Sequence, residues 1–520
     1  MQEEMLHLSC FKMKKIILFL IVLSALFISG CSEEFGIVNN SEEELKDTLF
    51  VIGYNFEGTN PLLVKNDTNR EIFSLIYDPL YSIDLNCKPY GKLAEGTSMV
   101  TDDGLNYRID LKKNVTFHDG TYLTSTDVCA TINYLIKNST SFDYNVRNIL
   151  NVSVNTEHSV NVTLKEPVPY LEALLTFPIV NSKDILKEFS FNGTGMYKVS
   201  SYVDKKYIDL EVFPNYYNGK NENIRKIKVQ LMPDKQTSDY AYASGMSDVF
   251  SQDIFTDTEN ANPKSGVKAK EFLSMNYNFL LLNHDNPVFK NLNVRKAINM
   301  AIDRESIVTD VLFSHGEAVY TPFFKDAWCY NQNIKPVFSV DEAKKILILE
   351  GFVPDVNTGI LKKEDGTLLS FSILVNNDNN FRIQVANKIS ENLKYIGIDC
   401  KVKIVSFEEY QNAYYSKTYE AFLGTVPMSY DFSMSLFLGD YNISNYYNAS
   451  ALETLNSLCL LKGAEEKQEK YVEIQKIFYY DIPHISLYYT KETLQFSNKI
   501  KSGLNPNSFS IFNNMENWEF

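Results

Sequence analysis

Side chains able to do chemistry are plentiful in this chain, but their spacing assembles no reaction centre. The six His stand apart, and the His-Glu-x-x-His, Gly-x-Ser-x-Gly, Walker A and Gly-x-Gly-x-x-Gly patterns are all absent. His118 sits beside Asp119 in a turn and reads as structural. Asp and Glu number 65, too many for one catalytic pair to stand out. The seven Cys include no Cys-x-x-Cys pair, so neither a zinc ribbon nor a thioredoxin-like motif is supported. Cys87, Cys129, Cys329, Cys400 and Cys459 read most simply as buried free thiols, with a disulfide among them left open. On this reading the chain is not an enzyme and uses neither metal nor cofactor.

One further Cys has surroundings that assign it a chemistry. Lys14 and Lys15 precede an apolar run over residues 16–28, short for a membrane span but suited to a signal peptide. The run ends in Ile28-Ser29-Gly30-Cys31, small residues before a Cys that can receive a lipid. Residues 1–30 are therefore expected to be a lipoprotein signal peptide and Cys31 the lipidated N-terminus. Residues 31–46, rich in Ser, Glu and Asn, read as a flexible tether. The formal net charge is −15 with no basic block, which argues against nucleic acid as a partner.

The elements that must position any site follow from periodicity. Residues 91–136 read as a turn at Thr101-Asp102-Asp103-Gly104, then a strand through Tyr107, Ile109 and Leu111 that continues to Val115 and Phe117. His118-Asp119-Gly120 makes the next turn. Thr124 stands three residues before Asp127, a capping-box spacing, and Val128, Ile132 and Leu135 follow at helical intervals. A helix is expected over residues 71–81 and a strand over 277–283. A strand–helix–strand rhythm over 369–404 points to an open α/β arrangement, followed by a helix over 464–480 and a strand from His484.

The order of residues carries more than periodicity does. The run LAEG…TDDGLNYRIDLKKNVTFHDGTYLTSTDV over residues 93–128 resembles the signature of the solute-binding proteins of peptide and nickel ABC importers, the oligopeptide-binding (family 5) proteins. Tyr122 and Ser125 replace the usual proline and alanine. FNGTGMYKV at 191–199, NYYNGK at 215–220 and VRKAINMAIDR at 294–304 resemble further elements of that family, as do Thr59-Asn60-Pro61-Leu62 and residues 498–506. Arg295 and Arg304 of the third element read as helix-surface ion pairs.

The resemblance implies a type II periplasmic-binding-protein-like α/β fold, two lobes around a hinge with an extra domain inserted in the first. The expected division is 47–82, 190–272 and 488–520 for lobe I, 83–189 for the inserted domain and 273–487 for lobe II, with a hinge near residues 272–277. It also implies function: a lipid-anchored, extracytoplasmic protein, monomeric, capturing a small solute, above all a peptide, for ABC permease and ATPase subunits. A nickel chelate, haem or sugar as solute, or a sensor, chaperone or adhesin role, stand as alternatives. Family members that bind peptides hold the α-ammonium with an Asp in a segment matched here by residues 421–438. Aligned on Gly424, that position falls on Met428; aligned on Phe437-Leu438, it falls on Tyr430, next to Asp431. The expected ligand contacts are Asp431, Tyr430, Phe56, Met428 and Tyr277.

Overall fold

Among the described residues the strands form five sheets, three of them with four or more strands, and the largest runs through both lobes. The structure, a computed structural model, describes residues 46–520 apart from Glu57, residues 188–189 and residues 253–266. Residues 1–45, and with them the expected signal peptide, Cys31 and most of the expected tether, lie outside the described residues.

In the first lobe Thr48–Tyr54 runs parallel to Lys226–Met232, which continues antiparallel to Tyr207–Val212 and then Tyr197–Val203. Residues 83–189, expected as an inserted domain, carry an antiparallel sheet, Met99–Val100, Asn106–Asp110, Ser159–Leu164 and Ile149–Thr156. The helix Ser125–Lys137 packs on it, started by the expected capping box: the Thr124 backbone N–H donates to Asp127 (2.9 Å). A cap of this kind is worth roughly 1 kcal/mol. One apolar core joins this sheet and helix to the sheet that contains Thr48–Tyr54.

The third sheet has seven strands and holds the second lobe together. Its long members are Val267–Leu282 (16 residues) and His484–Ser497 (14 residues), against about 5–6 for an ordinary strand. Their first-lobe ends pair together beside Val249–Gln252; beyond Leu273 the outgoing strand also pairs with Ala421–Pro427. The pairing register shifts between Leu273 and Tyr277, within the stretch read as a hinge. Such a bulge bends and twists a strand locally. Past it the pleat sends Leu280 and Leu282 into one core and Tyr277, Phe279 and Leu281 into another. Ser370–Asn376, the helix Asn380–Lys394 and Asp399–Val405 form the expected parallel unit.

Several expectations are corrected. Val115 and Phe117 are buried but form no strand, because Asn114 takes a left-handed φ of 62° and turns the chain. The helix expected over residues 71–81 is Asp67–Ile76, displaced toward the N-terminus because the Asn66 side chain caps it by accepting the Asn69 N–H (2.8 Å). The strand expected from Tyr277 begins at Val267.

Arg295 and Arg304 form no surface ion pairs; they are 6% and 1% exposed. Arg304 donates to the Ser486 carbonyl (2.7 Å) and the Asn299 carbonyl (3.1 Å), and Arg295 to the carbonyls of Phe289 (2.7 Å) and Asp481 (2.7 Å). The rigid guanidinium fork satisfies carbonyls left open at helix ends and ties Leu292–Ala301 to the returning strand.

Two of the motifs meet in space. The Gly195 N–H donates to the Ile76 carbonyl (2.8 Å), and a Cβ on Gly193 or Gly195 would collide with that carbonyl. The His118 Nε2 lies 3.0 Å from the Gly195 carbonyl and its Nδ1 3.3 Å from the Phe191 carbonyl. Burial holds the His118 pKa below its ordinary value, and the ring serves as a structural clamp.

Candidate functional site

Asp431 lies in the turn that follows Ala421–Pro427, where Phe432 adopts a φ of 44°. It is 2% exposed. Its Oδ1 accepts from the Ser429 hydroxyl, the Ser433 N–H (3.3 Å) and the phenol of Tyr144 (3.4 Å). Its backbone carbonyl accepts from the Tyr471 phenol (2.5 Å). Tyr144 lies on the short helix Asp143–Val146, within the region expected as an inserted domain, and the Arg147 guanidinium lies 4.3 Å over its ring.

Every direct partner of this carboxylate is neutral, and no basic side chain reaches ion-pair distance among the described residues. Burial accordingly raises the Asp431 pKa; the hydrogen bonds and the more distant Arg147 charge oppose the shift without cancelling it. A buried carboxylate without a counter-ion is costly, and a cation entering this junction would relieve that cost.

The other expected contacts divide between this junction and the cores. Tyr430 is half-buried; its phenol donates to Ser508 (3.2 Å) and its ring meets Phe509 edge-on at 5.7 Å. Met428 is buried in the adjacent second-lobe core, where its backbone N–H donates to the Met275 carbonyl (2.8 Å). Tyr277 has no exposed surface: its phenol lies 2.7 Å from His484 Nε2 and donates to Ser486 (2.6 Å), while its ring packs beside Phe279 and Tyr489. The pleat turns it inward, into the core. Phe56 is buried in the first-lobe core, stacked on Phe73 at 5.6 Å. Asn60, at the expected cleft rim, accepts the Leu62 N–H (3.0 Å) and starts a single helical turn.

A cavity of about 530 Å³ opens between the helix Asp67–Ile76, the inserted domain and the C-terminal segment. Its volume falls in the usual range for ligand pockets. Its wall includes Glu71, Asp78, Lys92, Tyr216 and Phe509, and none of the five expected contacts. Asp78 is buried and pairs with Lys92 (3.8 Å), with the Tyr216 and Thr194 hydroxyls each donating to it at 3.3 Å. Glu71 accepts from the Ser510 hydroxyl (2.7 Å) and the Ile511 N–H (3.0 Å), and burial pushes its pKa up to about 7.

Phe509 links cavity and junction, since it lines the first and packs on Tyr430 in the second. Sequence reading missed Tyr144, Phe509, Glu71 and Lys92; none lies within a matched motif, although Lys92 directly precedes the one that starts at Leu93. Among the described residues no three His, Cys, Asp or Glu come together as a metal-binding group, and no helix is long and apolar enough to cross a membrane.

Comparisons with known proteins agree along most of the chain. The family model described as "Bacterial extracellular solute-binding proteins, family 5 Middle" matches residues 88–447. The oligopeptide-binding protein AppA of Bacillus subtilis (strain 168) is 27% identical over 498 residues, 89% of this chain and 91% of that protein. Its crystal structure with a nonapeptide aligns at a TM-score of 0.59 and 24% identity, covering 91% of this chain and 99% of that one. A nickel ABC transporter structure from Bacillus halodurans aligns at a TM-score of 0.75 and 19% identity, covering 89% and 98%.

Proposed function

The chain belongs to the bacterial extracellular solute-binding proteins of family 5, and on that premise we propose that it captures a peptide between its lobes and delivers it to an ABC permease. The fold is the type II periplasmic-binding-protein-like α/β arrangement of two lobes. The observation that carries the peptide reading is Asp431: a buried carboxylate with neutral partners alone, at a junction of the second lobe and the inserted domain. A peptide's α-ammonium supplies the missing positive charge and displaces the weak phenol contact, a charge-assisted hydrogen bond replacing a neutral donor. Tyr430 flanks the ligand and, with Asp431, forms the expected contact pair.

The solute is bound and released without covalent change, so the protein acts as a carrier rather than an enzyme. Cys31 carries the lipid that holds it, as a monomer, at the outer face of the cytoplasmic membrane, within reach of the permease and its ATPase. Metabolic palmitate labelling tests the anchor: Cys31→Ala loses the label, and a variant that keeps it contradicts the assignment.

Native mass spectrometry of the protein purified from its own host tests the solute. Mass increments that fragment as short peptides are expected. A nickel chelate, haem or sugar bound in their place would overturn the peptide reading.

A further inference from the structure

We propose that the cavity on the first lobe's side receives a basic side chain of the bound peptide, with Glu71 as its carboxylate partner. The inference rests on the peptide reading above and narrows it to peptides that carry Lys or Arg at one position.

The charges around the cavity are unevenly matched. Arg70 and Lys92 both line it, but each is already committed, Arg70 to Asp67 (2.7 Å) and Lys92 to Asp78 (3.8 Å). Glu71 lines the same cavity and its partners are a hydroxyl and a backbone N–H, both neutral. A carboxylate accepts about four hydrogen bonds, so Glu71 has acceptor capacity left after these two. Glu516, also in the wall, has no ion-pair partner among the described residues. The aromatic walls suit the rest of such a side chain. Lys92 already lies 5.7 Å from the Tyr216 ring centroid, and a ligand's aliphatic stem finds similar faces in Tyr90 and Phe509.

The cavity also sits where a side chain of an Asp431-anchored peptide can reach. Phe509 forms its wall and touches Tyr430, the neighbour of Asp431, and Glu71 lies within electrostatic range of the Tyr430 phenol. Successive residues of an extended peptide advance by about 3.3–3.6 Å, so an ammonium at Asp431 brings the next side chains past Phe509.

The test is calorimetric titration of tetra-alanine peptides in which Lys or its uncharged isostere norleucine occupies each position in turn. In the wild type, Lys at one position binds at least about tenfold more tightly than norleucine, the scale of one charge-assisted bond. That preference collapses in Glu71→Gln and survives in Glu71→Asp. The norleucine peptide's unchanged affinity for both variants certifies that they are folded. Asp431→Asn weakens the Lys and norleucine peptides by the same factor. Peptides that bind without any Lys preference in the wild type overturn the inference and leave the peptide reading intact. A preference that persists in Glu71→Gln removes Glu71 from it. If none of these peptides binds, the peptide reading falls and the inference with it.

Discussion

The phenol of Tyr144 donates to the carboxylate of Asp431 across 3.4 Å, joining residues 287 positions apart in the chain. The first lies on the helix Asp143–Val146, in the region expected as an inserted domain, and the second follows the strand Ala421–Pro427. Lys462, which pairs with Asp102, and Lys467, 4.4 Å over the Tyr170 ring, extend the same contact surface.

Arg304 tests how the second lobe is held. Its guanidinium satisfies the Ser486 and Asn299 carbonyls while nearly fully buried, and burial lowers its pKa to about 10. Arg304→Met leaves those carbonyls without their donor and is expected to cost at least about 2 kcal/mol in urea unfolding. Arg304→Lys is expected to rescue only part of that, because a single ammonium does not reproduce the fork. Wild-type stability in Arg304→Met would contradict the structural role.

Glu71 makes stability depend on pH. Its folded pKa of about 7 lies above the ordinary 4.5, with Arg70, Asp67 and the Tyr430 phenol as its charged or titratable neighbours. The folded state therefore binds the proton more tightly than the unfolded chain. The resulting stabilisation is complete below pH 4.5 and is lost as pH rises through 7, amounting to about 3 kcal/mol. The stability difference between wild type and Glu71→Gln should shrink by that order between pH 4.5 and 8.5. A difference that stays flat across this range contradicts the raised pKa.

Much of this arrangement is legible in local residue order, and its limits have a physical cause. The capping box at Thr124 and Asp127 and the helix Ala464–Tyr480 depend on neighbours within a turn, so spacing reveals them. The parallel unit around Asn380–Lys394 is legible for the same reason. Arg304 looks like a surface residue because its main acceptor, Ser486, is 182 positions away. Tyr277 alternates as a strand residue should, but alternation does not say which face meets a cleft. Asp431 lies in a segment that the family resemblance marks. Tyr144 and Phe509 lie in stretches with no such marker, and three-dimensional contact alone brings them to the site.

Closure between the lobes is expected to pivot at the register shift between Leu273 and Tyr277. Small-angle scattering with a bound peptide should report a smaller radius of gyration than without it. An unchanged radius at saturating peptide would contradict a closing mechanism.

The most direct measurement is a double-mutant cycle on the Asp431 ammonium contact. Binding of a peptide and its N-acetylated form is measured calorimetrically in wild type and Asp431→Asn. Each change alone should weaken binding by roughly 1.5–3 kcal/mol, the scale of a hydrogen bond to a charged group. Applied together they should cost little more than either one, since both remove the same pair. Fully additive losses would show that Asp431 does not hold the peptide's ammonium, and would contradict the account.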